Sequence, residues 1–297
     1  MSEKRAFFSV DASKYDETKH YSVVRPASLS NPQDNAVMFV TEGFLKYWEA
    51  VLTVKDCIVI WPESQPVPEE LSKRHAVILS KEPRYGFAEF FHENHVTYNS
   101  MLKPFTVQNG AMICKGAQIG EGTIVFPGAY IDGEVRIGKN CYIASGVRLV
   151  GRVTIGDDCI IRENTVIGSD GLTTRRNAEG KIITIPQFGG VMIEDNVQIG
   201  ANSVVCKGAI DDTLIGSGSR IDNCTFISHN VKMGKDTIVV GEVLMMGSSS
   251  TGDRAYLSGN AVVRDGVSIG EDAFVGMGAV VTKNVPAGTL VKGNPAK

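Results

Sequence analysis

The sequence predicts a mostly β fold: a parallel β-helix of six-residue repeats, preceded by a small N-terminal α/β domain. Three observations predict it. Ile, Val or Leu fills all ten positions stepped by six from Ile113 to Ile167, and apolar residues fill eleven of the twelve from Ile215 to Val281, Thr251 being the exception. No helix has a six-residue apolar period. Gly120, Gly138 and Gly156 lie eighteen apart, as do Gly216, Gly234, Gly252 and Gly270, which groups three repeats into each coil. Small or branched residues such as Ala117, Thr123, Cys141 and Val147 also follow the first apolar column at an offset of four.

Residues 1–103 carry no such period. VMFV (37–40), DCIVIW (56–61) and HAVILS (75–80) read as short buried strands, and PRYGFAEFFHENH (83–95) has helical spacing at Tyr85, Phe87, Phe90 and Phe91. The boundary is drawn at Leu102-Lys103-Pro104, so that 104–297 forms the prism. Three hexads per coil give a triangular cross-section with one short strand on each face, coils stacking at about 4.8 Å. The isoleucines then form continuous inner columns, and the column glycines sit at corners whose backbone other residues enter with difficulty.

The period breaks twice. Between Ile167 and Ile193 the step is 26, and 169–190 reads as a loop thrown out of the prism. Between Val205 and Ile215 the step is ten, read as a compressed corner at GAIDDT. Loops leaving a rigid scaffold are where binding groups gather.

Composition narrows the function. The formal charge is −3 and no Lys/Arg run exceeds two residues, which argues against nucleic acid or a membrane surface as partner. No leader or membrane span can be drawn, and the six cysteines form no CxxC pair, so a reduced, cytoplasmic setting is expected. Cys141/Cys159 and Cys206/Cys224 are each eighteen apart and should nearly touch as small packing residues.

Of the five histidines only His229 lies in the repeat region, too few for a metal site of about three His ligands, so no metal is expected. His229 stands two residues past Ile227, off the inner columns. Imidazole suits a base working near neutral pH, as acyl transfer from a thioester to an amine or hydroxyl requires. Gly247, eighteen residues on, falls in the same column with a backbone N–H placed to meet a developing oxyanion. Asp222, seven residues before His229, is placed to orient the imidazole or to make a corner turn. Asp211 and Asp212 sit roughly one coil below, as corner or acceptor-contact groups.

The runs IGSDG (167–171), KIITIPQFGGVMIEDNVQIGAN (181–202), GAIDDTLIG (208–216) and IDNCTFISHNVKMG (221–234) resemble the UDP-3-O-acylglucosamine N-acyltransferase family. ASLSNPQDNAVMFVTEGFLKYW and KEPRYGFAEFF look like its uridine-binding domain. The resemblance implies left-handed coiling and a homotrimer with active sites in clefts between prisms. It implies His229 as base, Gly247 as oxyanion donor and Asp222 as support. It places Phe39 and Tyr47 near the aromatics that sandwich the uracil, with Asp170, Gln187, Asp211 and Asn230 as further substrate contacts.

The departures point elsewhere within the same chemistry. A second histidine that the family carries about two coils on is replaced near Asp265-Gly266, and the start is shorter by roughly one β-element. The end, VTKNVPAGTLVKGNPAK, lacks trailing helices and resembles the last coil of coenzyme A-dependent hexapeptide acetyltransferases, with Gly293 and Asn294 (and Gly247) bordering the cofactor. Related enzymes acylate the amine of nucleotide-linked amino-deoxysugars. The expected function is therefore N-acyl transfer of a short acyl or hydroxyacyl group from a coenzyme A thioester to such a sugar, with no permanently bound cofactor. The nearest rival is a lipid A-type enzyme using acyl carrier protein, and a non-catalytic β-helix scaffold is the rival from another class.

Overall fold

A computed structural model describes residues 6–96, 103–176 and 179–295. The chain divides into two compact units, Met1–Asn99 with Leu172–Phe188, and Ser100–Gly171 with Gly189–Lys297. The junction expected at 102–104 begins on Leu102, outside the described residues. The looped-out stretch, drawn as 169–190, groups over 172–188 with the N-terminal residues.

The first unit is built on four parallel strands in the order Arg25–Pro26, Ala36–Phe39, Ile58–Pro62, Ala76–Ser80. All three expected strands are present. The expected helix runs Pro83–Glu93, with proline in its first turn, where its missing N–H costs no hydrogen bond. Gly86 lets this helix lie close to the sheet: a Cβ there would stand 3.0 Å from Ile60 Cγ2. 3₁₀ turns over Glu42–Thr53 and a short helix Glu69–Arg74 complete the layer around Met38, Val59, Trp61 and Leu71. The strands Thr174–Arg176 and Ile182–Thr184 pair as a hairpin, and Phe188 packs its ring against Phe7, Phe8 and Phe91.

The second unit is a left-handed parallel β-helix. Among the described residues its three faces carry nine, ten and eight strands. The first runs from Ile124–Val125 to Leu290–Val291, the second from Phe105–Gln108 to Val280–Val281, and the third from Gln118–Ile119 to Ser268–Ile269. Phe105–Gln108 alone is antiparallel to its neighbour. Adjacent coils pair at the expected eighteen-residue step, as in Arg136↔Thr154 and Ile137↔Ile155. Ile131, Ile143, Leu149, Ile161, Ile167 and their successors are fully buried in inner columns. Threonines and serines that share the interior are satisfied by backbone, for example Thr165 Oγ1 to the Gly200 carbonyl at 2.6 Å.

The two breaks resolve differently from their sequence reading. Ile155 pairs with Ile193, so one coil spans 38 residues and accommodates a 20-residue excursion. That excursion begins at a bulge between Ile167 and Ser169, where Gly168 has φ +92°. Ile193 pairs with Ile215, a coil of 22 residues. The GAIDDT corner is thus enlarged by four residues, not compressed. The same four residues break the second cysteine pair: Val204 pairs with Phe226, which leaves Cys206 beside Ser228 and Cys224 exposed at a corner. Cys141 and Cys159 do meet across adjacent coils.

The column glycines serve another purpose than strained corners. Their φ values are ordinary; the left-handed corner two residues later is taken by Gly122, Asn140, Asp158, Gly218, Asp236, Arg254 and Asp272. Gly120, Gly138, Gly216 and Gly234 are needed because a Cβ would overlap the glycine backbone of the next coil. Gly234→Ala should therefore cost about 1–3 kcal/mol by overpacking, since only backbone at Gly252 and Asp253 stands in the way. Scanning calorimetry checks this, and an unchanged Tm would mean the coils part there at no cost.

Candidate active site

His229 lies at the corner after the strand Phe226–Ile227, half-buried, its ring between two glycines from neighbouring coils. A Cβ on Gly171 would stand 2.8 Å from His229 Cδ2, and one on Gly247 would stand 2.6 Å from Cε1 and 2.7 Å from Nε2. The ring is thus held between Gly171 and Gly247, and the Ser248 N–H donates to the His229 carbonyl at 2.9 Å. The column placement of Gly247 one coil beyond His229 is as expected. Among the described residues the Gly247 N–H meets no protein acceptor.

The imidazole is oriented by Asn230. His229 Nδ1 lies 3.1 Å from Asn230 Oδ1. That oxygen also accepts the Ala209 N–H at 3.0 Å, while Asn230 Nδ2 donates to the Asp211 carbonyl at 3.1 Å. The two backbone partners fix which end of the amide is oxygen, and an oxygen can only accept. In the neutral ring Nδ1 therefore carries the proton, and Nε2, the nitrogen against Gly247, keeps a lone pair. Asn230 adopts φ +61°, a left-handed conformation that asparagine tolerates, and its own N–H donates to Thr213 Oγ1 at 3.0 Å.

Asp222 does not support this ring within its own chain. Its Oδ1 accepts the Asn223 N–H at 2.7 Å and its Oδ2 the Gly241 N–H at 3.2 Å, at a different corner of the prism. Of the two roles expected for Asp222, orienting the imidazole or making a corner turn, its hydrogen bonds within the chain match the second. The carboxylate closes a turn instead.

The remaining expected residues divide by environment. Asp170 gives its carboxylate to the buried Lys207 ammonium at 2.6 Å, which ties down the segment ending in Gly171. Asp211 contributes its carbonyl to Asn230. Gln187, in the first unit, is buried; its Nε2 donates to Thr173 Oγ1 at 2.9 Å, and its Oε1 has no partner among the described residues. Phe39 packs on Phe87 with centroids 4.9 Å apart, under the Arg84 guanidinium at 5.9 Å. Burial, then the nearby Arg175 charge, lowers the Arg84 pKa from its ordinary value. Tyr47 is exposed beside Phe44, with the Lys46 ammonium 4.8 Å from its ring centre. Gly293 and Asn294 lie just past the last strand, Leu290–Val291, with Gly293 at φ +93°. Sequence reasoning missed Gly171 and Arg152; the SDG triplet at the loop's departure is the signal that could have found the first.

Among the described residues no group of three or more His, Cys, Asp or Glu is gathered to hold a metal, and no helix is long and apolar enough to cross a membrane.

Comparison with known proteins agrees with this architecture. Models of the bacterial transferase hexapeptide (six repeats) match residues 116–151 and 134–169, and those of the hexapeptide repeat of succinyl-transferase match 190–228 and 250–283. The UDP-3-O-acylglucosamine N-acyltransferase of Caulobacter sp. strain K31 is 39% identical over 137 residues, 46% of this chain and 40% of that protein. Its counterpart from Bordetella pertussis Tohama I is 36% identical over 132 residues, 42% and 36% of the two chains. The match thus spans about two fifths of the length of these relatives. A solved UDP-N-acetylglucosamine acyltransferase from Bacteroides fragilis 9343 superposes with a TM-score of 0.59 at 22% identity, over 65% of this chain and 73% of that one. The Campylobacter jejuni enzyme gives 0.56 at 23%, with the same coverage, and these likenesses speak for the fold. By repeat and by fold, the second unit of this chain is a hexapeptide-repeat β-helix.

Proposed function

We propose that this chain is an N-acyltransferase, moving a short acyl or hydroxyacyl group from coenzyme A to the amine of a nucleotide-linked amino-deoxysugar. One observation carries the reading: the Asn230 contact fixes the His229 tautomer whose Nε2 is free, and that nitrogen lies against Gly247, whose N–H meets no acceptor among the described residues. In the reaction Nε2 takes a proton from the attacking amine. The new C–N bond forms at the thioester carbonyl, whose oxygen becomes an oxyanion facing the Gly247 N–H. Collapse breaks the C–S bond, and the thiolate leaves with the proton held on the imidazolium.

The likeness to proteins named for an acylated UDP-glucosamine supports a nucleotide sugar as acceptor. Phe39 is the ring on which we place the base, with Tyr47 as a second candidate. A homotrimer fits the outward apolar residues Ile124, Ile238, Phe274 and Leu290 on the first face, and the cytoplasm is its proposed setting.

Coenzyme A is favoured over acyl carrier protein because a carrier's acidic helix needs a basic docking surface. In the last coils Lys283 and Lys292 are exposed, but Arg254 is already committed to Glu271 and Asp272. Acetyl, 3-hydroxybutyryl and 3-hydroxymyristoyl donors on both carriers should be compared on TDP- and UDP-linked amino sugars. Short coenzyme A esters should exceed every carrier-protein donor by at least about tenfold in kcat/KM, or ~1.4 kcal/mol. Turnover of long carrier-protein thioesters alone would establish the lipid A-type rival instead.

A further inference from the structure

The enlarged corner at 208–213 is longer than the prism requires, since the next coil makes the same turn with four residues fewer. Its contacts converge on Asn230. Ala209 supplies the N–H and Asp211 the carbonyl that fix the amide, and Thr213 Oγ1 takes the Asn230 N–H. A corner that long is soft unless something holds it, and an ion pair is at the centre of the contacts that do. Arg152 Nη1 and Nη2 reach both oxygens of Asp212, at 2.7 and 2.5 Å. Asp212 Oδ1 also accepts the Gly190 N–H at 2.7 Å, and the Asp212 carbonyl takes the Lys232 ammonium at 2.6 Å. Gly190 in turn bonds Gly208 and Thr213 through its carbonyl. The Arg152 guanidinium covers it so closely that a Cβ there would meet Cζ at 3.0 Å.

We infer that Arg152 and Asp212 are positioning residues, which hold the 208–213 corner so that Asn230 keeps the His229 proton on Nδ1. Neither touches the ring. They act through the corner's backbone, a planar fork on a carboxylate being the arrangement that fixes direction as well as distance. This rests on the reading of His229 as the base, so its test needs a readout that turnover does not supply.

The full-length protein labelled with ¹⁵N-histidine provides one, with His229→Gln identifying the His229 signals among the five histidines. In the parent at high pH, His229 should show a protonated Nδ1 and a bare Nε2. Arg152→Met should turn this into a tautomer mixture and lower kcat by roughly 10- to 100-fold, the scale of a small misplacement from outside the chemistry, with KM within about twofold. Arg152→Lys, a single-point charge, should recover part of kcat but not the pure tautomer. If Arg152→Met does not fold, Asp212→Asn, close in volume, asks the same question with the same expected result. Retention of the single Nδ1–H tautomer and of kcat within twofold in either variant overturns the inference. Loss of the tautomer together with undiminished turnover in His229→Ala would instead uphold the positioning and defeat the reading of His229 as base.

Discussion

His229→Ala should lower kcat by about 10²–10⁴, the usual contribution of one positioned general base, while oligomer mass and Tm stay close to those of the parent. The side chain is half-buried at a corner and belongs to none of the inner columns, so removing it leaves the packed interior untouched. What it does leave is a slot between Gly171 and Gly247 and an Asn230 amide still held by Ala209 and Asp211. The site should persist, lacking only the group that takes the proton. Steady-state kinetics on the amino-sugar acceptor, with circular dichroism and sedimentation as controls, checks this. Near-parental turnover in a correctly folded variant would remove His229 from the mechanism.

The period of six was legible because it reports burial directly: Ile131, Ile143, Ile155 and Ile167 must all point inward if any does. Register was legible only while coils kept eighteen residues. Once the 38- and 22-residue coils intervene, spacing along the chain stops measuring distance through it. Gly247 was placed correctly from His229 because one regular coil separates them, whereas seven residues turn a corner and left two roles open for Asp222, of which the corner turn is the one seen. Cys206 and Cys224 failed to pair because the enlarged corner lies between them. The chemistry of Asn230 was invisible for another cause. Its amide is fixed by backbone atoms of Ala209 and Asp211, and backbone atoms leave no signature in side-chain identity. The column glycines show a third limit: their spacing was plain, but whether it answers a strained φ or a close approach depends on the neighbouring coil.

Gly247→Ala should be the most damaging small substitution in the site, with kcat lowered by about 10²–10³, the scale for losing one oxyanion donor. The backbone itself would accept alanine, since Gly247 is not among the residues with positive φ. The obstacle is the imidazole: the new methyl would stand 2.6 Å from Cε1 and 2.7 Å from Nε2. The ring cannot retreat toward Gly171, whose own approach to Cδ2 leaves no depth in the slot. It must swing outward, which stretches the Asn230 contact and moves Nε2 off the line between amine and carbonyl, and the methyl then shields the Gly247 N–H. Displacement and shielding are separable by a double-mutant cycle on stability. Gly247→Ala should lower Tm in the parent and leave it unchanged in His229→Ala, where the methyl meets an empty slot. Activity should stay at the His229→Ala floor in the double variant. A Gly247→Ala protein that turns over within about threefold of the parent would mean that the imidazole does not rest against Gly247 when the acyl group is transferred, and the geometry assigned to the base would have to be abandoned.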